Sequence, residues 1–376
     1  MRYIGLGSPM GKCDFEKGSR LAYMLKLADR MKNVGWVPMS ELKGDDLSGG
    51  WVEELAQQLQ PHNGIITWHW SIGSTAKLGD PTQPISDKLM EMALKAKRLK
   101  DSIGLAAVTI HCVPAISIEP VQNAAAERYY SPIDAGEMLE RIRCQVNPLE
   151  DLNYLCGGIL QIETVDIANF RDSGFKLPNY LALQTGSWMD LLWLKEQSGV
   201  NITFDSEHYN CAENVLRPCQ EISDLFTVED DQMTPEEYDL ARLAGYWLRK
   251  DRPPHAVFCN GIDTAKFIEE ANPRLFHFGA AVQASNAAGE ICTHLPYDRG
   301  NQGHMAALDQ QLTWIMAHPG CLGGVVEVVG QLYVDDPANP GHNRYSTWSP
   351  REPDDETAKE QTTLTIIERL EALTTI

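Results

Sequence analysis

The sequence has no Cys-x-x-Cys pair, no window approaching 18 uninterrupted apolar residues, and a marked shortage of basic side chains. Each absence closes off a class of function. Nine scattered cysteines, an odd number, suit reduced thiols better than a disulfide framework. With no long apolar run, and no charged start followed by one, neither a signal peptide nor a membrane span is expected, so the expected location is the cytoplasm. Lys and Arg number 32 against 52 Asp and Glu, a formal net charge of −20 with a pI near 4.9. That balance disfavours general binding to nucleic acid or anionic membranes, while leaving room for a local basic patch. Gly5-Leu6-Gly7 lacks the third glycine and the following acid of a dinucleotide-binding turn.

What is present is a chain of 376 residues, 43% hydrophobic, with nine tryptophans, ample for a large core. Short apolar runs alternate with helical periodicity. Expected strands are 3–7, 35–38 (weak, with Pro38 read as a breaker), 64–70, 105–111, 158–163, 201–205, 274–278 and 324–329. Expected helices include 18–33, 50–59, 85–100, 134–144 and 188–197. Strands that are near-continuous apolar runs, separated by helices, mark a parallel sheet buried on both faces. Eight such units point to an α/β fold of the (β/α)8 barrel type, with the active site at the C-terminal ends of the strands.

Segment 209–273 exceeds what a minimal barrel needs and reads as an insertion after strand six, with a helix over 235–249. Its apolar run 256–259 is an alternative seventh strand. Residues 331–354, rich in Asp, Pro, Asn and Gly, read as loop, and a final helix covers 355–373 within a C-terminal extension, 331–376. With no internal repeat and no low-complexity linker, 1–376 reads as one domain.

The expected strands end in ionisable residues. His69, His111, Glu163, Asp205, His208, His277 and Glu327 fall at or just beyond their tips, and His294 falls in the loop after strand seven. One His at a strand end is more often a hydrogen-bonded structural residue than a ligand. Eight ligand-type residues gathered at the tips of six strands and one loop make a metal centre the better explanation. Imidazoles and carboxylates without paired thiolates favour Zn²⁺, Mn²⁺ or Fe²⁺ over Mg²⁺ or Ca²⁺. The set is too large for one ion of four to six ligands, so two or three ions with Glu163 bridging is the economical arrangement. Such a centre makes a metal-bound hydroxide at neutral pH, by lowering the pKa of bound water to about 7, and can clamp a phosphoryl group. With a single ion, the same carboxylates can instead polarise a sugar and move a proton.

These residues resemble the xylose-isomerase-like TIM barrels and, within them, the endonuclease-IV-like (class II AP endonuclease) branch. The resemblance covers about residues 64–330 without the insertion. It rests on His69 and His111 at strand ends, Gln161-Ile-Glu163-Thr, Phe204-Asp205-x-x-His208, His277, and Val326-Glu327-Val. Gly300-Asn-Gln-Gly303-His304 resembles that branch's Gly-Asn-x-Gly-His segment. Aligning on it places His294 at a ligand position and Cys292 where an Asp is expected, with Asp298 a substitute from the same loop.

A second likeness, to the UV-damage endonucleases, lies in Met39-Ser-Glu41-Leu and in Phe204-Asp-Ser-Glu-His208-Tyr-Asn-Cys. The Lys they carry two residues before the strand-seven His is Leu275 here. A third, Asp298-Arg299-Gly300, resembles the ketose 3-epimerases. There Glu163, Asp205, a His and Glu327 would hold one metal, and Glu163 and Glu327 would exchange protons with the sugar.

The endonuclease-like resemblance implies a metal-dependent phosphodiesterase-type hydrolase, with Glu163 and Glu327 as catalytic carboxylates. One ion would lie at His69, His111 and Glu163, a second at Glu163, Asp205, His277 and Glu327, and a third at His208 and His294. The epimerase-like resemblance implies an isomerase or epimerase with one ion. Zn or Mn is expected. Trp70, Asp298, Arg299 and His304 are candidate substrate contacts, and Trp70 or Ile72 falls just after His69, where the nucleases carry duplex-opening side chains. The substrate would be a small phosphoester, a sugar-like molecule or damaged DNA. Neither a membrane nor an obligate protein partner is expected.

Overall fold

The computed structural model describes residues 3–45, 47–70, 78, 84–111, 121–122, 128–129, 143–164, 188–206, 264–279, 296–297, 299–328, 331–335, 343–350 and 355–374. Eight parallel strands close into a barrel: β1 (Ile4–Met10), β2 (Trp36–Lys43), β3 (Ile65–His69), β4 (Ala107–His111), β5 (Leu160–Glu163), β6 (Asn201–Asp205), β7 (Leu275–Phe278) and β8 (Gly323–Val326). Each pairs with its neighbours in sequence, and β8 returns to β1. The expected (β/α)8 fold is the one found.

A helix follows every strand. After the short α1 (Lys12–Lys17) come α2 (Ser19–Asn33), α3 (Trp51–Leu59), α4 (Asp87–Ile103), α5 (Val146–Leu155), α6 (Trp188–Ser198), α7 (Thr264–Ala271), α8 (Gln302–Ala317) and α9 (Asp355–Thr374). Their boundaries follow local chemistry. Ser86 caps α4 by accepting the Leu89 N–H, Asn301 caps α8 by accepting those of Gly303 and His304, and Gly104 ends α4 at φ 76°. Among the described residues no helix is long and apolar enough to cross a membrane.

β7 pairs directly with β6 and β8, so 275–278 is the seventh strand and the alternative register is excluded. Two expectations fail. β2 runs through Pro38 to Lys43, because Pro38 removes one donor but stays in register with Leu6, and the flanking residues hold the ladders to β1 and β3. The stretch after β8, expected as loop, contains an antiparallel pair, Gln331–Asp335 with Asn343–Pro350. There the polar composition concealed a local hairpin. The expected helices at 134–144 and 235–249 fall partly or wholly outside the described residues.

The barrel closes on glycine. A Cβ on Gly323 (φ 122°) would collide with the Gly5 backbone, so this close approach of β8 to β1 needs a residue without a side chain. α9 covers the same seam, packing on β1, β8, α2 and α8 with Ala358, Ile366, Ile367 and Leu370 buried. Ion pairs tie its rim: Arg30 to Glu371 (2.8 Å), and Arg20, which also donates to the Pro9 carbonyl, to Glu356.

Alternation along the strands sorts the lumen into layers. At the bottom Met39, Leu275 and Val325 form a sealed apolar cluster separate from the outer core. Beside it, on β4, β5 and β6, lies a neutral polar belt, in which the Thr203 hydroxyl donates to Gln161 Oε1 (3.0 Å) and lies 3.1 Å from that of Thr109. Two residues further along each strand the lumen becomes charged.

Candidate metal centre

Six strand ends converge at the mouth. β3 supplies His69, β4 His111, β5 Glu163, β6 Asp205 and β7 His277, while Glu327 directly follows β8. Glu163, Asp205 and His277 are buried, His69 nearly so, and the Glu327 side chain is 21% exposed.

Glu163 is the hub. Its Oε2 lies 2.7 Å from His69 Nε2 and 2.9 Å from His111 Nε2, whereas its Oε1 lies 2.9 Å from His277 Nδ1. The same Nδ1 is 2.9 Å from Glu327 Oε2 and 3.7 Å from Asp205 Oδ2. Two groups therefore share one carboxylate: His69, His111 and Glu163; and Glu163, Asp205, His277 and Glu327. Within each group the ligand atoms lie within 4.8 Å of one another.

Hydroxyl side chains clamp the strand tips. The Thr164 hydroxyl accepts the Asp205 N–H (2.7 Å) and donates to the Asp205 carbonyl (3.2 Å), which fixes the tip of β5 against that of β6. Ser206 does the same between β6 and β7, donating to the Gly279 carbonyl (2.9 Å) and accepting its N–H (3.2 Å). A candidate ligand carboxylate followed at once by Thr or Ser is a sequence signal that strand reading passed over. His69 is held by its Nδ1, which donates to the Trp70 carbonyl (2.9 Å).

β2 adds two charged residues that sequence reading left out of the site. Glu41, fully buried, bonds His277 Nε2 through Oε1 (2.9 Å), and so directs the opposite ring nitrogen at the carboxylates. Lys43 Nζ lies 2.7 Å from Glu327 Oε1 and 3.2 Å from Glu41 Oε2. The indole N–H of Trp68 donates to the Gly44 carbonyl (2.7 Å), fixing the chain just after Lys43.

The electrostatics follow from crowding. Burial pushes the Glu163 carboxyl up, but His277, His111 and His69 together hold it well below its usual range. Burial pushes the His277 imidazole down, and Glu41, Glu163 and Glu327 outweigh that to hold its proton well above the ordinary value. Glu41 ends below its usual value, where desolvation is overcome by His277 and Lys43. In the metal-free protein an imidazolium and an ammonium thus neutralise part of four clustered carboxylates. That donor set fits divalent cations: mixed nitrogen and oxygen ligands, closely spaced, with surplus negative charge.

Of the other expected site residues, His208, His294 and Asp298 lie outside the described residues, as do Cys292 and the insertion up to residue 263. The Trp70 ring is buried and packs edge-on against Trp68 (5.6 Å) rather than standing at the rim. Arg299 turns to α9, donating to the Thr365 hydroxyl (2.9 Å) and pairing with Glu368 (3.0 Å). His304 opens α8 with its ring 6.5 Å from that of Tyr297. These last three are not gathered with the ligand clusters.

No protein-family model and no curated protein matches the sequence. Solved structures do. An L-ribulose 3-epimerase is similar at 11% identity, over 100% of this chain and 96% of its own, with a TM-score of 0.52. The D-psicose 3-epimerase of Clostridium cellulolyticum H10, solved with D-tagatose, is similar at 12% identity over 99% of both chains, with a TM-score of 0.51. The UV-damage endonuclease SacUVDE matches at 10% identity over 100% of both, with a TM-score of 0.48. At such identities the likeness is one of fold, a (β/α)8 barrel.

Proposed function

We propose that the protein is a metal-dependent hydrolase of phosphoester bonds that uses two divalent ions, Zn²⁺ or Mn²⁺, held on either side of Glu163. One observation carries this reading. The two oxygens of Glu163 are divided, Oε2 toward His69 and His111, Oε1 toward His277. Ions at these positions would acidify water and neutralise charge on phosphoryl oxygens. Glu163 ties the two positions together. His69 and His111 complete the first, and Asp205, His277 and Glu327 the second. Glu327, whose side chain is 21% exposed, is the member of this group that faces the mouth. His208 and His294 are our candidates for a third ion. The net charge of −20 favours a small phosphoester over duplex DNA, which draws on many Lys and Arg contacts.

A second reading rests on the completeness of the second cluster, whose four ligand atoms suffice for one ion. On that reading the protein is a sugar or polyol isomerase or epimerase, in which Glu163 and Glu327 exchange protons with substrate carbon. His69 and His111 would then have no metal to hold. The test is activity of the Zn- or Mn-loaded protein on bis(p-nitrophenyl) phosphate, an abasic-site duplex and a panel of ketoses. Phosphoester cleavage that disappears in His69→Ala/His111→Ala is expected. Ketose epimerisation that survives this double change, with no phosphoester cleaved, would overturn the hydrolase.

A further inference from the structure

The centre contains one charged side chain that is neither a member of the ligand clusters nor sealed among them. Lys43 leaves the tip of β2 in register with His69, and its side chain is 28% exposed. Among the described residues it is the one lysine or arginine placed against the carboxylates of the centre. Its contacts are divided. Nζ takes Glu327 by Oε1, while Glu327 Oε2 faces His277 and belongs to the second cluster. An ion held at Oε2 would therefore leave the ammonium in place, and the two cations would flank one carboxylate.

Holding a lysine here for stability alone is a poor exchange. Drawing an ammonium toward the interior costs several kcal/mol, and a well-packed apolar side chain often serves as well. An ammonium has three N–H donors; Glu327 Oε1 accepts one, and Glu41 Oε2 stands 3.2 Å away as an ion-pair partner. With the open mouth on one side and the clustered carboxylates on the other, a donor not taken by Glu327 suits an anionic oxygen arriving beside the metal.

We propose that Lys43 binds a negatively charged oxygen of the substrate, jointly with the ions of the second cluster, and so selects phosphate-type oxyanions. This inference rests on the phosphoester reading above. It adds a substrate-contacting cation from β2, outside the eight ligand-type residues.

The test is binding of inorganic phosphate, by calorimetry, to the full-length protein loaded with Zn²⁺ or Mn²⁺, with metal equivalents counted in the same samples. Lys43→Met is expected to keep its metal and to weaken phosphate binding at least about tenfold, roughly 1.4 kcal/mol. Lys43→Arg should retain part of the affinity. Lys88→Met removes an exposed cation paired with Asp45 (2.5 Å) and should leave phosphate binding unchanged, which separates contact from net charge. Equal phosphate affinity in wild type and Lys43→Met would overturn the role of Lys43 and leave the phosphoester reading standing. Loss of metal in Lys43→Met would also overturn it, by making Lys43 a support for Glu327. A metal-loaded wild type that binds no phosphate would overturn the phosphoester reading itself, and this inference with it.

Discussion

The two ends of the barrel lumen are built from the same strands and obey opposite rules. At the bottom Met39, Leu275 and Val325 meet in a sealed apolar plug. Two residues further along those strands stand Glu41, His277 and Glu327, crowded with Glu163, Asp205 and Lys43. Strand alternation sends both sets inward, so a shift of two positions carries the lumen from cohesion to electrostatic tension. The bottom is stable as it stands. The top holds four carboxylates close together, and in the metal-free protein a proton on His277 and the charge of Lys43 offset them only in part. The plug supports the fold, whereas the mouth gathers groups able to hold cations.

That contrast can be broken most visibly from below. Met39→Ala should destabilise the fold by about 2–5 kcal/mol, the usual cost of a core cavity, and leave metal equivalents unchanged. Chemical denaturation and elemental analysis of one preparation check both halves. A loss of metal would show that the two ends are not independent. Glu41→Gln is the counterpart from above. It removes the charge behind His277 while preserving its shape, and should weaken metal binding roughly 10–100-fold, as loss of an outer-shell partner does. Stability should change much less. Competition with a chelator measures the first and denaturation the second.

The smallest expected effect is in pH. The folded-state pKa of His277 is raised, so its proton stabilises the metal-free fold fully below the unfolded imidazole value of about 6.5. That stabilisation is lost as pH rises through the folded value. An ion at Nδ1 requires the proton to leave, so metal affinity should strengthen with rising pH across this window, by up to about tenfold per unit for one proton. Affinity that weakens as pH rises would contradict this assignment. The plug carries no such group.

The same contrast explains what could be read from sequence. Strands β3 to β8 were legible because each is an apolar run that ends in an ionisable residue, and only a barrel mouth gives such endings a common place. Hence His69, His111, Glu163, Asp205, His277 and Glu327 were anticipated, and the structure gathers all six. β2 was illegible at its far end. Pro38 looked like a stop, yet one lost donor is tolerated within a strand laddered on both sides. Glu41 and Lys43 were therefore missed as lumen residues.

The clamps at Thr164 and Ser206 were missed for another reason: a hydroxyl after a carboxylate has meaning only once the neighbouring strand tip is known. Arg299 shows the reverse case. An Asp-Arg-Gly triplet suggested substrate contact, and tertiary packing gives the guanidinium to α9 instead.

Glu163 is shared between two groups of residues that could each hold an ion. The most direct test is elemental analysis of purified, Zn- or Mn-loaded protein beside the folded His69→Ala/His111→Ala variant. Two or more equivalents in the wild type, falling by one in the variant, is the predicted result. One equivalent in both would contradict it.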